Sequence, residues 1–179
     1  MTVPENPIAD ASEARRFLET NPGVQFFELM FTNLSGVPRG KRLRRHELTA
    51  IYEQGRFLPG SILVCDITGR DCEETGLVWE DGDGDRVARP APGTLVLAPW
   101  LGADTAQVIT SLYELDGTPN DLDPRHVLRG VLDRFAAEGL THRPEGLALQ
   151  LEHAFTEGHQ TNLPSHGFPE LFWNDVSIF

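Results

Sequence analysis

Three aspartates alternate with two glycines at residues 81–85 and form the clearest candidate for chemistry in the sequence. Carboxylates at this spacing suggest a calcium loop. That motif, however, requires glycine where Arg86 stands and a bidentate glutamate where Pro92 stands, so calcium binding of this type is excluded. Two interpretations stay open from the spacing alone: a flexible acidic turn, or a loop that carries a functional carboxylate.

The other potential nucleophiles and metal ligands form no recognised motif. The six histidines include no pair with the spacing of metal ligands on a helix, and the sequence has no G-x-S-x-G, phosphate-loop or dinucleotide fingerprint. Cys65 lies in an apolar segment, so we expect a buried and unreactive thiol. Together with Cys72 it makes two cysteines, which is too few for a disulfide framework.

Length and charge limit the class of protein. The chain has 179 residues, about one domain with a small appendage, and its hydrophobic content of 40% is ordinary for a soluble globular protein. A net charge of −12 argues against nucleic acid as a partner, because binding to its backbone requires a basic face. No apolar run approaches the ~20 residues that span a bilayer, and the amino terminus lacks the features of a signal peptide. We therefore expect a cytoplasmic protein that does not bind membranes.

Charge is distributed unevenly along the chain. Residues 66–85 carry eight acidic side chains and a single basic one, Arg70, whereas residues 39–45 carry a basic cluster. The basic cluster consists of Arg39, Lys41, Arg42, Arg44 and Arg45. Two solvated surface patches explain this distribution, and so does an oligomer in which the patches of neighbouring subunits face each other.

The hydrophobic pattern predicts an α+β domain that positions these segments. The predicted elements are a helix over 12–20 capped by Ser12, a hairpin of strands over 24–34 and 39–43, a helix over 46–54, strands over 61–67, 94–100 and 106–114, a helix over 123–139 and a strand over 147–151. The helix over 123–139 has the strongest signal, with Asp123 as N-cap, Pro124 at the first helical position and Gly139 at the end. The Gly/Asp-rich segment 69–86 is predicted to be a loop.

Four segments, in a fixed order, resemble the amino-terminal half of glutamine synthetase-type ligases. They are residues 79–93 (WEDGDGDRVARPAPG), 94–100 (TLVLAPW), 116–119 (DGTP) and 122–128 (LDPRHVL). The sequence is most similar to the branch that joins glutamate to amines, the γ-glutamylpolyamine synthetases. The resemblance implies an N-terminal helical extension over 1–19, a β-grasp domain over 20–118, the start of a truncated catalytic domain over 119–155 and a divergent tail over 156–179.

The resemblance also implies roles for two residues. Asp85 matches an aspartate that projects into the active site of a neighbouring subunit, where it holds and deprotonates the incoming ammonium or amine. The ammonia-specific enzymes carry a second aspartate in a Phe-Asp-Gly-Ser-Ser-like loop, but residues 57–61 of this chain read FLPGS. The missing aspartate favours an amine over ammonia as substrate.

A metal-binding strand is the other implied feature. In the family, a Glu-x-Glu pair faces Mg²⁺ or Mn²⁺, and alternate residues of a strand do share a face. Gln150 replaces the first glutamate, and a neutral amide is a poor ligand for these cations, which leaves Glu152 as a candidate metal ligand. An ordinary polar face of an edge strand is the other interpretation of this segment.

The implied function is the N-terminal portion of an ATP-dependent ligase that joins the γ-carboxylate of glutamate to ammonia or an amine. We expect the chain to be inactive alone and to bind no ATP or metal itself, because the family's nucleotide and glutamate motifs lie beyond the resemblance. Its expected partners are glutamine synthetase-like subunits in a homo- or hetero-oligomer. A stand-alone, non-catalytic domain that binds and regulates full-length ligase rings is the alternative.

Overall fold

The computed structural model describes residues 8–79 and 82–140, and it confirms the predicted α+β class. The helices are α1 (Ala11–Thr20), α2 (Leu48–Gln54) and α3 (Pro124–Ala137), and the strands are β1 (Phe26–Thr32), β2 (Pro38–Arg44), β3 (Arg56–Pro59), β4 (Asp85–Pro90), β5 (Val96–Leu97) and β6 (Thr105–Tyr113). The chain divides into two compact units between Gly130 and Val131. The domain boundaries expected from the sequence, after residues 19, 118 and 155, stay predictions.

The strands form one mixed sheet in the order β2-β1-β6-β4-β3, with β5 paired to β6. β6 organises this sheet, because residues 105–109 pair in parallel with β1 and residues 110–113 pair in antiparallel with β4. All nine residues of β6 are buried, as expected for a strand with neighbours on both sides. The central strand therefore links the β1–β2 hairpin to the β3–β4 ribbon.

The core lies between the sheet and the helices α1 and α2. Phe27, Leu29 and Phe31 of β1 are buried on one face, as the strand period predicts. The ring of Phe17 from α1 packs edge-on against Phe27 with centroids 6.1 Å apart. Each such side chain contributes roughly 1.5–3 kcal/mol on full burial.

The helix α2 joins this core by the face that its sequence predicts. Leu48, Ile51 and Tyr52 are buried, and the helix ends at Gly55, whose φ of +78° favours glycine. The Tyr52 hydroxyl donates to the Glu13 carboxylate of α1 at 3.0 Å, and burial raises the pKa of the tyrosine. This polar contact fixes the two helices against each other.

Two sequence predictions about local structure are wrong. Asp10, rather than Ser12, caps α1, because its carboxylate accepts the Ser12 backbone N–H at 2.8 Å. The apolar segment 61–67 is not a strand but a short 3₁₀ turn, Gly60–Leu63, followed by irregular chain, and the strand lies just before it as β3. Leu63 is fully buried although it belongs to no strand. The apolar residues of this segment therefore reflect burial rather than strand pairing.

The loop predicted over 69–86 ends at Gly84, two residues earlier than expected, since β4 begins at Asp85. Of the strand predicted over 94–100, only the two residues of β5 are in a strand. The strand predicted over 106–114 is confirmed as β6. The helix over 123–139 is confirmed as α3, with Gly139 at a φ of +73° beyond its end. Two of its apolar side chains, Val127 and Leu128, are 50% and 37% exposed. Among residues 8–79 and 82–140, no helix is long and apolar enough to cross a membrane.

Candidate functional site

Asp85 is the first residue of β4 and lies opposite Pro59 of β3. The residue is exposed, and within the described part of the chain its carboxylate makes no hydrogen bond or ion pair. The main chain, by contrast, is held in the ladder between β3 and β4. A fixed backbone with a free carboxylate at the end of a strand is an arrangement that can meet a cation from outside the domain.

Asp83 has a structural role two residues earlier. Its carboxylate accepts the backbone N–H of Ser61 at 3.0 Å, and the adjacent Gly60 N–H donates to the Gly84 carbonyl at 3.0 Å. Asp83 adopts a φ of +50°, a left-handed conformation that aspartate tolerates better than most residues. These bonds tie the acidic loop to the end of β3, so two aspartates that look alike in sequence have different roles.

Arg86, the residue after Asp85, also fixes the local main chain. Its guanidinium donates to the Gly84 carbonyl at 2.9 Å, and its Nε lies 3.0 Å from Glu114 Oε2. The second carboxylate oxygen of Glu114 accepts from the Asn120 amide at 2.6 Å. The Arg86–Glu114–Asn120 network therefore connects the start of β4 to the segment between β6 and α3.

A shallow groove of about 480 Å³ lies beside this network. It is lined by Arg86, Glu114, Thr118, Pro119, Asn120, Asp121 and Leu122. Its wall is the turn over 116–119, in which the Asp116 carboxylate accepts from both the N–H and the hydroxyl of Thr118. These hydrogen bonds lower the pKa of Asp116. The Arg86–Glu114–Asn120 network could not be predicted from the sequence, because no local pattern indicates which strand residues become neighbours.

The segment without the second aspartate lies directly next to Asp85. Phe57 and Pro59 of β3 face outward, whereas Leu58 is 8% exposed and packs in the core. Asp85 and residues 57–59 of the FLPGS segment thus meet in one β-ribbon. Only Asp85 offers a free carboxylate on the β3–β4 pairs.

The predicted metal ligand Glu152 and its neighbour Gln150 lie outside the described residues. Within residues 8–79 and 82–140, no three His, Cys, Asp or Glu side chains are grouped to hold a metal ion. We therefore assign no metal-dependent step to the described residues.

Other sequence candidates have structural roles. The Cys65 thiol is free and buried, and burial beside Asp71 raises its pKa, in agreement with an unreactive group. In the basic cluster, Arg45 donates to the main-chain carbonyls of Leu18, Asn21 and Val24, and Arg42 pairs with Glu28 at 2.6 Å. Part of this cluster thus holds its own domain together.

Comparison with known proteins gives relatives of one kind. The chain is 33% identical over 132 residues to the γ-glutamylputrescine synthetase PuuA of Escherichia coli K12, a match that covers 74% of this chain and 28% of PuuA. It is 32% identical over 142 residues to the γ-glutamylethanolamide synthetase GlnA4 of Streptomyces coelicolor, covering 75% of this chain and 30% of that enzyme. Glutamine synthetases of bacteria and archaea also match. No family model matches the sequence.

Solved structures agree with these relatives. A structure described as a GmaS/ADP complex superposes with a TM-score of 0.51 at 26% identity, over 72% of this chain and 25% of that one. A glutamine synthase homologue superposes with a TM-score of 0.56 at 23% identity, over 64% of this chain and 27% of that one, which supports the fold alone.

The matches confirm the resemblance: this chain is a relative of the glutamine synthetase-type ligases, over about three quarters of its length. Its relatives include enzymes named for the γ-glutamyl products of amines, such as PuuA and GlnA4. The chain spans only 28–30% of the length of these two relatives.

Proposed function

We propose that residues 20–118 form the amino-terminal β-grasp domain of a glutamine synthetase-type ligase, and that this domain supplies Asp85 to the amine site of a neighbouring subunit. The observation that carries the proposal is the free carboxylate of Asp85, held at a fixed point at the start of β4 by β3, Asp83 and Arg86. Asp85 lies within a segment that resembles the family, and its relatives are ligases that act on ammonia or amines.

In such a ligase, ATP phosphorylates the γ-carboxylate of glutamate, and the amine displaces the phosphate. When divalent metals are bound, they neutralise the negative charge of the phosphoryl group. None of the described residues is grouped to hold these metals, so we attribute this chemistry to the ligase subunit as a whole rather than to this domain. Glu152 remains a proposed metal ligand.

Asp85 serves the amine half of the reaction. An ammonium group pairs with the carboxylate, and the attacking amine must lose a proton before or during attack. The exposed carboxylate of the single domain loses water contact once a second subunit covers it, and its attraction for a cation then increases. A carboxylate with no partner in its own domain suits this role, because it has no internal ion pair to give up.

The second substrate is an organic amine rather than ammonia in this proposal. Residues 57–61 read FLPGS, so the chain lacks the second aspartate that ammonia-specific enzymes carry in the corresponding loop. With one carboxylate instead of two, the site holds a small, strongly hydrated ammonium ion less well. The names of PuuA and GlnA4 are consistent with such a substrate class.

The proposal also includes the assembly. Asp85 acts in trans, so the functional unit is a cytoplasmic homo- or hetero-oligomer of ligase subunits. Asp85 stands at the start of β4, before the part of that strand that pairs with β6, and a neighbouring subunit can reach the carboxylate there without unfolding this domain.

The proposal is tested by transplanting residues 8–130 into the E. coli γ-glutamylputrescine synthetase in place of its matching segment, joined in register within α3. We expect the chimera to form γ-glutamylputrescine from ATP and glutamate. Asp85→Asn keeps the shape, removes the charge, and is expected to lower kcat/KM for the amine about 100-fold or more. The matched control is Asp83→Asn, which changes a neighbouring aspartate with an internal role and is expected to retain activity.

Equal turnover of the Asp85→Asn and Asp83→Asn chimeras would contradict the proposal. If instead the free 179-residue chain changes the turnover of intact ligase rings, and does so equally with and without Asp85, the regulatory alternative is supported.

A further inference from the structure

The sheet has a second face, on the side away from the core. Ala88 of β4 and Leu112 of β6 belong to the core, so the residues that alternate with them along each strand face the other side. On this second face Arg89 of β4 lies opposite Ser111 of β6, and Tyr113 follows two residues further along β6. Neighbouring strands thus place one guanidinium and two hydroxyl groups together, and we call these three residues the Arg89 cluster.

The start of α3 covers the Arg89 cluster. Its Arg125 donates from Nε to the Ser111 hydroxyl at 3.2 Å, and the ring of His126 meets the Tyr113 ring edge-on with centroids 4.7 Å apart. The Nε2 atom of His126 lies 3.0 Å from the Leu112 carbonyl, so this nitrogen is the donor. The tyrosine ring is therefore enclosed between the sheet and the helix.

The Tyr113 hydroxyl is a buried donor without a partner. Tyr113 is 1% exposed, and its oxygen makes no hydrogen bond to any of the described residues. Such groups are few in folded proteins, and the binding of an ion or a polar ligand is one of the roles that accounts for them. Arg89 is half-buried, and its guanidinium makes no hydrogen bond or ion pair within the described part of the chain.

Positive charge dominates around this hydroxyl. Burial and the Asp123 carboxylate raise the pKa of Tyr113. Three guanidinium groups act in the opposite direction, those of Arg125, Arg89 and Arg129. Asp123 balances part of this charge, but both of its oxygens already accept main-chain N–H groups. The surroundings of the hydroxyl therefore favour an anion over a neutral ligand or a cation.

We propose that the Arg89 cluster is a binding site for a phosphate group, which accepts from the Arg89 guanidinium and the Tyr113 hydroxyl. The ligand enters between Arg89 and Arg125, which are both partly exposed. A tetrahedral phosphate offers acceptor oxygens to the sheet and to the helix at once, whereas a planar carboxylate offers them in one plane. The site is separate from the proposed amine site, since Asp85 lies four residues away along β4, about 13 Å in an extended strand.

The full 179-residue chain is titrated with sodium phosphate at constant ionic strength, and the Arg89 Nε–H signal and the thermal midpoint are followed. Sodium acetate is the carboxylate probe, and glycerol 3-phosphate is the phosphate-ester probe. We expect a saturable shift of the Arg89 signal and a higher midpoint with phosphate and with the ester, and neither with acetate. Tighter binding of the ester than of inorganic phosphate would identify the phosphate group of a larger molecule as the ligand.

Substitutions separate binding from folding. Arg89→Gln is expected to weaken phosphate binding about 10-fold or more, and Arg89→Lys less, because lysine keeps the charge but not the planar fork. Tyr113→Phe is expected to weaken binding about 10-fold, yet not to lower the midpoint measured without phosphate, because the hydroxyl has no partner to lose. Arg70→Gln removes an exposed charge elsewhere and is the control, with phosphate binding expected to stay unchanged.

An Arg89 signal that responds to acetate as it does to phosphate would overturn the inference. So would equal losses of phosphate binding in Arg89→Gln and Arg70→Gln, since they would reveal attraction by overall charge alone. A lower midpoint of Tyr113→Phe in the absence of phosphate, with phosphate binding intact, would show that the hydroxyl serves the fold.

Discussion

The two aspartates at positions 83 and 85 have the same side chain and opposite surroundings. The Asp83 carboxylate accepts from the Ser61 N–H, whereas the Asp85 carboxylate meets no partner among the described residues. A residue that stabilises its own loop and a residue that is free to bind are thus separated by a single glycine. At this scale, the identity of hydrogen-bond partners divides structural from functional carboxylates.

This division predicts a clear mutational contrast at Asp83. Asp83→Ala removes the acceptor for Ser61 and forces alanine into a φ of +50°, and we expect it to lower the free energy of unfolding by about 1–3 kcal/mol. Asp83→Asn keeps an acceptor oxygen and tolerates the left-handed conformation, so it is expected to be within about 0.5 kcal/mol of the wild type. Urea unfolding of the three proteins measures both values, and equal losses for alanine and asparagine would count against this account of the loop.

At Asp85, by contrast, we expect a substitution to leave stability almost unchanged. Asp85→Asn removes no contact within the described domain, so its effect on the free energy of unfolding is expected to stay within about 0.5 kcal/mol. The thermal midpoint of the full chain checks this. A large drop in the midpoint would identify Asp85 as a structural turn residue and remove the main support for its role in binding.

At the scale of elements, α3 and β6 are joined by one buried carboxylate. Asp123 Oδ1 caps α3 by accepting from Arg125 N at 2.9 Å, and Oδ2 accepts from Leu112 N of β6 at 2.7 Å. The carboxylate has two acceptor oxygens and uses both. An amide has only one.

Asp123→Asn is therefore expected to lower the free energy of unfolding. It places an NH₂ group against either the helix cap or the buried Leu112 N–H, and we expect a loss of roughly 1–3 kcal/mol in the free energy of unfolding. Asp121→Asn, at an exposed position nearby, is the control and is expected to change it by less than about 0.5 kcal/mol. The prediction is wrong if the two variants unfold at the same urea concentration.

The β1–β2 hairpin depends on a close approach of its two backbones. A Cβ atom at Gly40 would overlap the carbonyl oxygen of Leu29 on the paired strand. Gly40→Ala must separate the strands, and a loss of about 3 kcal/mol or more is expected. Gly23, where an added Cβ meets nothing within 4 Å, provides the control. Circular dichroism melts of Gly40→Ala and Gly23→Ala decide the point, and comparable midpoints would contradict it.

At the scale of the whole molecule, the sequence predicted the class of fold better than the pairing of its strands. The hairpin, α2, β6 and α3 were predictable because Phe27, Leu29 and Phe31 alternate at strand spacing and Asp123-Pro124 begins a helix. The run from Ser61 was misassigned, since Leu63 is buried in a 3₁₀ turn and burial alone does not select a strand. The Arg86–Glu114–Asn120 network follows from strand register, which no local pattern encodes.

Acid stability is a property of the molecule as a whole. Hydrogen bonds lower the pKa values of Asp10, Asp66 and Asp116 below their ordinary value of 3.8. A carboxyl with a lowered pKa in the folded state stabilises the protein above about pH 4 and loses that contribution as pH falls through the lowered value. We expect the thermal midpoint to drop below about pH 4, and to drop less in the double variant Asp66→Asn/Asp116→Asn, which keeps acceptor oxygens that do not titrate. An identical acid profile for the variant would show that these turns do not contribute.

The most direct test of the central claim, that Asp85 acts in a neighbouring subunit, is subunit complementation. A chimeric ligase carrying Asp85→Asn is mixed, after dissociation and reassembly, with a chimera that has intact Asp85 and an inactivated catalytic portion. Each parent is expected to be inactive, whereas random reassembly at equal amounts pairs the two intact halves in about one quarter of the sites and restores a matching share of the activity. Mixed assemblies that stay as inactive as their parents would show that Asp85 does not act in trans.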